Sequence, residues 1–521
     1  MDWELRKHAV AAELLPTCAS VRGREREPGE EMITAGRVVT LIALCLLDAC
    51  APTVEPHGAL GRLWNLEVGP DYKRPAIAAP AEFRNQVQPT EAASLADQAW
   101  WDVFADVHLQ KLIGEALANN YDLQTAAARV EESRAFVGVA ASQLYPQVGY
   151  LGGASRAKSP IPIDDLPNTT LNMFTGLFNV AWEIDVWGRI RRSTEAARAS
   201  FFASEEARRG VMLTLVSDVA AAYFQLLELD RELVIANQSS EAYGRTLTLF
   251  TQRYQQGTDT MLSTDRAQAA LQGSLATIAR LDRLIIQQEN AISVLLGRNP
   301  EVTDRGTPLT DQKTPQTPPG LTTDLLQRRP DIRQAEQNMI AANSQIGVAV
   351  ADFFPTIGLS ALYGGSSKKI EDIVKDSFSV WNIAGTVAGP IFRGGQLVES
   401  YRAQKAFWDE SIARYKGTIV QAFREVSDAL TAQVNLVQQR EALAKQVDAL
   451  QDAVRLSLLR YDSGRATYFE VLEAEQQLYP AEDALAQTER DQLLAVVDLY
   501  KALGGGWQLT DEQFSRPNEQ G

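Results

Sequence analysis

Two long stretches without proline constrain the fold of this chain more than any other feature of its sequence. Residues 188–256 and 394–462 contain no proline and few glycines. A continuous helix of about 69 residues is on the order of 100 Å long, because each residue adds about 1.5 Å. That length exceeds the width of an ordinary domain, so the sequence predicts an elongated molecule.

Apolar residues within both stretches step by three and four positions, which is the spacing of a coiled-coil seam. They are Val216, Val219, Tyr223 and Leu226 in the first stretch and Leu443, Val447, Leu450, Val454 and Leu458 in the second. Gly257 and Gly464 follow the two stretches and are expected to end the helices. Second helices are predicted to return over 258–297 and 465–503, so that each stretch opens a helical hairpin.

The hairpins belong to an internal duplication. Residues 144–149 resemble residues 353–358 at an offset of 209, and residues 253–257 resemble residues 460–464 at an offset of 207. Matching segments in one order at nearly one offset indicate two copies of the same structural unit.

The duplication and a proline-rich stretch between the copies predict the domain organisation. The expected parts are an upstream extension with a lipoprotein signal peptide (1–49), an extended lipid-anchored segment (50–104), a first repeat (105–297), a linker (298–320), a second repeat (321–505) and a C-terminal tail (506–521).

Each repeat is expected to begin with a helical stretch, over about 105–144 and 321–353, and to continue with two strands. The strands are predicted at 146–157, 173–187, 355–365 and 377–392. Apolar and polar side chains alternate most clearly in residues 173–187, which gives that strand one apolar and one polar face.

Strands of this length can cross a membrane as part of a barrel. Trp182, Trp187 and Tyr145 are then expected to form an aromatic belt at the membrane surface. The alternative is a pair of soluble β-hairpins.

The first 50 residues have the features of an export signal. An apolar run over residues 38–47 follows Arg37 and is too short for a helix that spans a membrane. Met32 is then the expected start. The run leads to Leu47-Asp48-Ala49-Cys50, which resembles a lipobox and makes Cys50 the candidate site of lipid attachment. The alternative is an ordinary cleaved signal with an incidental cysteine.

Composition argues against several classes of function. A formal net charge of −16 argues against a nucleic-acid partner, which needs a basic face. All three cysteines lie in the first 50 residues, and the chain has only three histidines, so the common catalytic and metal-binding constellations lack their residues. We therefore expect no enzyme activity, no catalytic residues, no cofactor and no metal site.

Four strands cannot close a barrel, and an open sheet edge is not tolerated in lipid. The chain is therefore expected to form an oligomer of identical copies. Three copies supply a 12-stranded β-barrel that continues into a long α-helical barrel. The expected fold class is mostly α with a β membrane section, and the expected product is a water-filled tube.

Four motifs carry a resemblance to a known family. They are residues 68–75 (Val-Gly-Pro-Asp-Tyr-Lys-Arg-Pro), 100–104 (Trp-Trp-Asp-Val-Phe), 325–332 (Leu-Leu-Gln-Arg-Arg-Pro-Asp-Ile) and 499–507 (Leu-Tyr-Lys-Ala-Leu-Gly-Gly-Gly-Trp). Together they resemble the TolC-type outer membrane factors, in particular the OprM/NodT lipoprotein branch of resistance-nodulation-division (RND) efflux systems. The resemblance implies a trimeric exit duct in the outer membrane that reaches into the periplasm.

The resemblance also implies partners and a cargo. The partners are a periplasmic adaptor protein, an inner-membrane RND pump and the lipid of the outer membrane, and the cargo is small molecules such as drugs. The alternatives are a duct for type I protein secretion or heavy-metal export and, with less support, a periplasmic coiled-coil scaffold.

In this family a periplasmic aperture lies just after the second helical turn. The resemblance therefore implies that Glu470 and Glu473 line the aperture and that Tyr461 latches neighbouring helices. Three copies would place their carboxylates around one mouth, which favours cations. Some members carry a basic latch residue where this chain has Ala466, so their salt-bridge latch is in doubt. The alternative is that both glutamates lie on an ordinary solvated helix face.

Overall fold

The computed structural model describes residues 66–77, 95–104, 106–158, 170–313, 315 and 325–506. Cys50 and the predicted signal peptide lie outside the described residues.

Both repeats follow the predicted plan. The first contains α1 (Val107–Asn119), α2 (Tyr121–Ser142), β1 (Gln147–Lys158), β2 (Thr170–Ile184), α3 (Arg189–Gln255) and α4 (Met261–Leu295). The second contains α5 (Pro330–Ala351), β3 (Thr356–Ser367), β4 (Ser379–Ala388), α6 (Gln396–Asp462) and α7 (Tyr468–Ala502). Short helical turns lie at Leu95–Asp97, Trp100–Val103, Leu309–Asp311, Leu325–Arg328, Ile370–Asp372 and Asp376–Phe378.

The two long helices are confirmed. α3 and α6 are each 67 residues long, so each extends on the order of 100 Å. The four strands form one antiparallel sheet in the order β1-β2-β3-β4, in which the pairing of β2 with β3 joins the two repeats. β4 ends earlier than predicted, before Gly389 and Pro390, because proline cannot donate to a strand ladder.

The helical stretch predicted over 105–144 is confirmed, but the structure divides it at Asn120 into α1 and α2. Asn120 has an extended backbone, and its side-chain oxygen accepts a hydrogen bond from the Leu123 amide at 3.0 Å, which caps α2. Its Nδ2 donates to the carbonyl of Leu295 at the end of α4, 2.9 Å away.

The second repeat has the same break at Arg329, the position that corresponds to Asn120 in the duplication. Arg329 separates the turn Leu325–Arg328 from α5 and has an extended backbone. Its Nη1 donates to the carbonyl of Ala502 at the end of α7, at 2.7 Å. In both repeats one side chain thus joins the start of a helix to the end of the return helix.

The long helices differ in how they pack. α3 contacts α1, α2, α4, α5 and α7, whereas α6 contacts mainly α5 and α7. The predicted seam residues of α3 are fully buried. In α6, Val447, Leu450 and Val454 pack against Leu478 and Ala481 of α7, which confirms that seam as well.

The linker is packed against the helices where the structure describes it. Asp106 Oδ2 accepts hydrogen bonds from the Tyr223 hydroxyl at 3.0 Å, the Thr307 amide at 3.1 Å and Gln312 Nε2 at 2.9 Å. The Tyr223 hydroxyl in turn accepts from the amide of Gly306 at 2.9 Å. These bonds hold the linker on α3.

Candidate functional site

The register of the sheet gives it one apolar face, because residues paired across antiparallel strands point to the same side. That face carries Val148, Phe174, Phe178, Val180, Trp182, Ile184, Ile357, Leu359, Ala361, Tyr363, Trp381, Ile383 and Val387. The opposite face carries mainly small and polar residues, among them Gly149, Ser155, Thr175, Asn179, Ser360, Ser366, Asn382 and Thr386, with Leu151, Leu171, Met173, Leu177, Leu362 and Val380 as apolar exceptions. A sheet of this kind suits a surface between lipid and a water-filled lumen.

A row of aromatic side chains crosses the apolar face at one level. Tyr150, Phe178, Tyr363 and Trp381 are paired in that order across all four strands. They are exposed by 85%, 64%, 41% and 70%, although they are large and apolar. The sequence prediction missed this row because it depends on the register, and β1 is too rich in glycine to show a clear alternation.

The aromatic residues that the sequence did single out lie at the end of the strands that adjoins the helices. Trp182 Nε1 donates to the carbonyl of Leu144 at 2.9 Å, and Trp187 Nε1 donates to the carbonyl of Pro355 at 2.7 Å. Tyr145 is exposed. The indole N–H groups are thus satisfied where the strands join the helices, as expected for an interfacial belt.

The far ends of the hairpins form a tip with two matching turns. Gly257 and Gly464 both have left-handed backbones, with φ of 72° and 68°. The amide after each glycine donates back into the helix, from Thr258 to the carbonyl of Arg253 and from Arg465 to that of Arg460. Each glycine therefore ends its long helix as predicted.

Tyr461 lies at the centre of the contacts between the two turns. Its ring is edge-on to Tyr468 at 4.9 Å, and the Arg253 guanidinium from the first hairpin lies 4.9 Å from its centroid. Burial raises the pKa of Tyr461, and its buried hydroxyl has no hydrogen-bond partner within the described residues.

Tyr468 extends this contact to α3. The Tyr468 hydroxyl and Thr246 Oγ1 are 2.6 Å apart, and Phe250 is edge-on to the Tyr468 ring at 5.3 Å. The start of α7 is thus bound to the end of α3 through one aromatic cluster, which we name the tip cluster (Tyr243, Phe250, Tyr461, Tyr468 and Tyr479).

Glu470 and Glu473 lie in the first two turns of α7, outside the tip cluster. Glu473 is exposed and Glu470 is partly exposed. Glu470 Oε2 lies 3.6 Å from Arg460 Nη2, a pair in which both side chains are largely exposed and which therefore contributes little to stability. Arg460, which precedes the turn, is thus a basic neighbour of Glu470. The sequence analysis considered a basic latch residue only at position 466, where this chain has alanine.

The segment at residues 66–77 is fixed near the junction of strands and helices. The Val68 amide donates to the carbonyl of Trp187 at 3.1 Å, and Arg192 Nη2 donates to Asp71 Oδ1 at 2.8 Å. Tyr72 and Arg74 both donate to the buried carboxylate of Glu336 on α5, at distances between 2.5 and 3.0 Å. The motif at residues 68–75 is therefore held at the strand end of the helices.

Within the described ranges, no group of three or more His, Cys, Asp and Glu side chains could hold a metal ion. What these residues build instead is a surface for lipid at one end, a long pair of hairpins, and a cluster of aromatic contacts at the tip.

Comparison with known proteins agrees with the duplicated repeats and the membrane-facing sheet described above. The outer membrane efflux protein family matches residues 112–298 and 321–505, that is, both repeats. The chain is 33% identical over 458 residues to the toluene efflux pump outer membrane protein TtgC of Pseudomonas putida, which covers 87% of this chain and 94% of TtgC. It is 32% identical over 449 residues to the cation efflux system protein CusC of Escherichia coli, which covers 86% of this chain and 97% of CusC.

The structure is similar to the open state of the MtrE outer membrane channel of Neisseria gonorrhoeae. The TM-score is 0.77 at 31% sequence identity, over 85% of this chain and 98% of that one. The duplicated repeats, the sheet with one apolar face and these similarities lead to one conclusion. The chain belongs to the outer membrane efflux protein family and is an outer-membrane efflux channel with a TolC-like fold.

Proposed function

We propose that three copies of this chain form the exit duct of a tripartite efflux pump, which passes small molecules such as drugs from the periplasm to the outside. The observation that carries this proposal is the four-stranded sheet with one apolar face, in which β1 and β4 pair on one side only within the described residues. Joining β4 of one copy to β1 of the next closes a 12-stranded barrel without an open edge.

The surface of α6 supports the same assembly. Its exposed apolar side chains include Phe407, Val420, Val437 and Leu456. A neighbouring copy would cover such residues, which a monomer in water would leave exposed.

The proposed partners at the other end are a periplasmic adaptor and an inner-membrane RND pump. The hairpins reach on the order of 100 Å away from the sheet. Their tip exposes Met261, Leu262 and Phe469, which offer an apolar contact to an adaptor. The pump would supply the driving force, so we propose that this chain is not an enzyme and needs no cofactor.

The cargo is the least constrained part of the proposal. One relative is named for toluene efflux and another for cation efflux, although both align over most of this chain. One kind of duct thus serves both kinds of system, which supports selection of cargo by the pump. Small organic molecules are our first candidate, heavy-metal ions the second and secreted proteins the third.

We propose that Cys50 carries lipid that anchors the chain. The Val68 amide is bonded at the strand end of the helices. The 18 residues from Cys50 to Val68 can extend up to about 60 Å, enough to reach the membrane surface from there. Mass spectrometry of the N-terminal peptide should show acyl chains on Cys50, and Cys50→Ser should remove them; an unmodified cysteine would contradict the anchor.

We propose that Glu470 and Glu473 line the aperture, with Tyr461 holding the second turn in place. Glu470→Ala and Glu473→Ala in planar bilayers should lower the preference for cations over anions. The matched control is Glu131→Ala on α2, which removes an exposed carboxylate far along the chain from the tip. Unchanged ion selectivity in both tip variants would show that these glutamates are a solvated helix face.

The test of the whole function is accumulation of a fluorescent efflux substrate in cells. Deletion of the gene should raise accumulation, and the restored gene should lower it again, whereas the empty vector should not. If accumulation does not respond, the same comparison with copper or silver tolerance tests the second candidate.

A further inference from the structure

A carboxyl group is buried inside the tip, between α3 and α7. Glu475 is only 6% exposed, and its Oε2 has no hydrogen-bond partner in the described part of the chain. It lies on α7 two residues after Glu473, but on the opposite, buried side of the helix. It is therefore separate from the glutamates that we place at the aperture.

The groups around Glu475 are mostly aromatic. Tyr243 and Tyr479 flank it, with their rings edge-on at 5.8 Å across the contact between α3 and α7. The charged and titratable groups that act on this site are Tyr243 and Arg245 from α3 and Tyr468, Tyr479 and Glu482 from α7, with Tyr461 of α6 against Tyr468. Elsewhere at this level α6 contributes Val454 and Leu458 and α4 contributes Ala267 and Leu271, none of which ionises.

The carboxyl group therefore has a different proton affinity when α7 packs on α3. Burial raises the pKa of Glu475 to about 7 from a usual value of 4.5, and the attraction of Arg245 only partly opposes this. Separation of α7 from α3 would return the group to water and lower its pKa again. The packed arrangement thus binds the proton more tightly than the separated one.

We propose that Glu475 is a proton-controlled switch that links the packing of α7 on α3 to opening of the duct. The protonated side chain is compatible with the aromatic contact and holds the tip closed. The ionised side chain has no counter-charge in direct contact, so it favours separation of α7 from α3. This inference rests on the proposed position of the aperture at this tip.

The direction of the pH dependence follows from the difference in proton affinity. Between pH 4.5 and 7 the closed tip holds a proton that the open tip has lost, so raising the pH favours the open state. The ratio of open to closed tips should rise by up to about tenfold per pH unit in this window for each copy of Glu475 that loses its proton on opening, and it should level off above the window.

The test uses the full-length protein in planar bilayers at pH 5, 6, 7 and 8. Wild type should open more often as the pH rises to 7. Glu475→Gln keeps the shape of the side chain without its charge and should stay closed throughout. Glu131→Gln on α2 is the control, because it removes an exposed carboxylate outside the tip and should keep the pH dependence of wild type.

A second measurement reports on the contact itself. Hydrogen exchange of the amides at residues 468–479 should show a protection factor that falls between pH 5 and 7 in wild type and stays constant in Glu475→Gln. If exchange behaves in this way while conductance does not change with pH, the switch stands and the proposed aperture is what fails. Equal pH dependence in wild type and in Glu475→Gln would overturn the switch.

Arg245→Gln gives an independent variant in case Glu475→Gln does not fold. Loss of the attractive guanidinium should shift the loss of protection to higher pH, because the carboxyl group would then hold its proton longer. A midpoint unchanged from wild type would contradict the arrangement proposed here.

Discussion

The two long helices have the same length and the same place in the repeat, yet they lie in very different surroundings. α3 buries side chains from Ile190 to Phe250, almost its entire length. α6 buries few, mainly between Ser411 and Leu430, and leaves large apolar side chains exposed. Duplication of a sequence pattern thus preserved secondary structure but not burial, because burial depends on which neighbours each copy acquires.

The corresponding residues at the two breaks show the same divergence in chemistry. Asn120 joins α2 to the end of α4 through neutral hydrogen bonds. Arg329 joins α5 to the end of α7 and also pairs with Asp331 and with Glu425 of α6. The same connection between helices is thus made by a neutral amide in the first repeat and by a charged guanidinium in the second repeat, whose long helix is less buried.

The largest effect is expected from Arg329→Ala. It should lower the free energy of unfolding by about 3 kcal/mol, because a carbonyl and two carboxylates lose their buried cation. Asn120→Ala should cost about 1–2 kcal/mol, for one helix cap and one hydrogen bond. Denaturant titration of the purified protein, followed by circular dichroism, measures both. Equal losses would show that the two breaks are equivalent in energy despite their chemistry.

A smaller contrast is expected between two buried tyrosines of the long helices. Tyr223→Phe on α3 should cost about 1–2 kcal/mol, because it removes a hydroxyl that binds Asp106 and Gly306. Tyr415 on α6 is equally buried, but its hydroxyl has no partner within the described residues. Tyr415→Phe should therefore change stability by less than about 0.5 kcal/mol or raise it. The same denaturant titration measures both variants. A large loss of stability in Tyr415→Phe would indicate that another chain supplies a hydrogen-bond partner for the Tyr415 hydroxyl.

The smallest difference between the repeats is expected at the two turns, where the two effects should be equal. Gly257→Ala and Gly464→Ala should each cost about 1 kcal/mol, because alanine is strained in a left-handed backbone. Neither position has a neighbouring atom that an added methyl group would meet. Thermal unfolding of the two variants side by side tests this equality. A markedly larger loss at Gly464 would show that contacts outside the protomer restrain the second turn.

Much of this architecture could be predicted from the sequence because it depends on local patterns. The absence of proline and the spacing of apolar residues predicted α3 and α6. The alternation of apolar and polar residues predicted β2, and the offset between the repeats then predicted the corresponding elements of the second repeat. The break at Asn120 could also have been found from the sequence. Asn120 occupies the position that corresponds to Arg329 in the duplication, and Pro330 marks the start of a helix directly after Arg329.

The features that escaped prediction depend on contacts between distant segments. The aromatic row needs the register of four strands, and the tip cluster joins Phe250 to Tyr468 from opposite repeats. The sequence analysis did not single out Glu475, because nothing in its own helical turn shows that it packs beside Tyr243 of the other repeat.

The pairing of β2 with β3 has a further consequence for how such a tube came about and how it assembles. Inside one polypeptide, the two repeats meet along the same kind of seam that neighbouring copies would form between β4 and β1. A shorter ancestor with a single repeat would have needed twice as many chains to complete the ring. Having both repeats in one polypeptide tethers every second seam of such a ring covalently, so half of the encounters would not depend on protein concentration. It also allows the two repeats to differ in sequence, as the unequal burial of α3 and α6 shows.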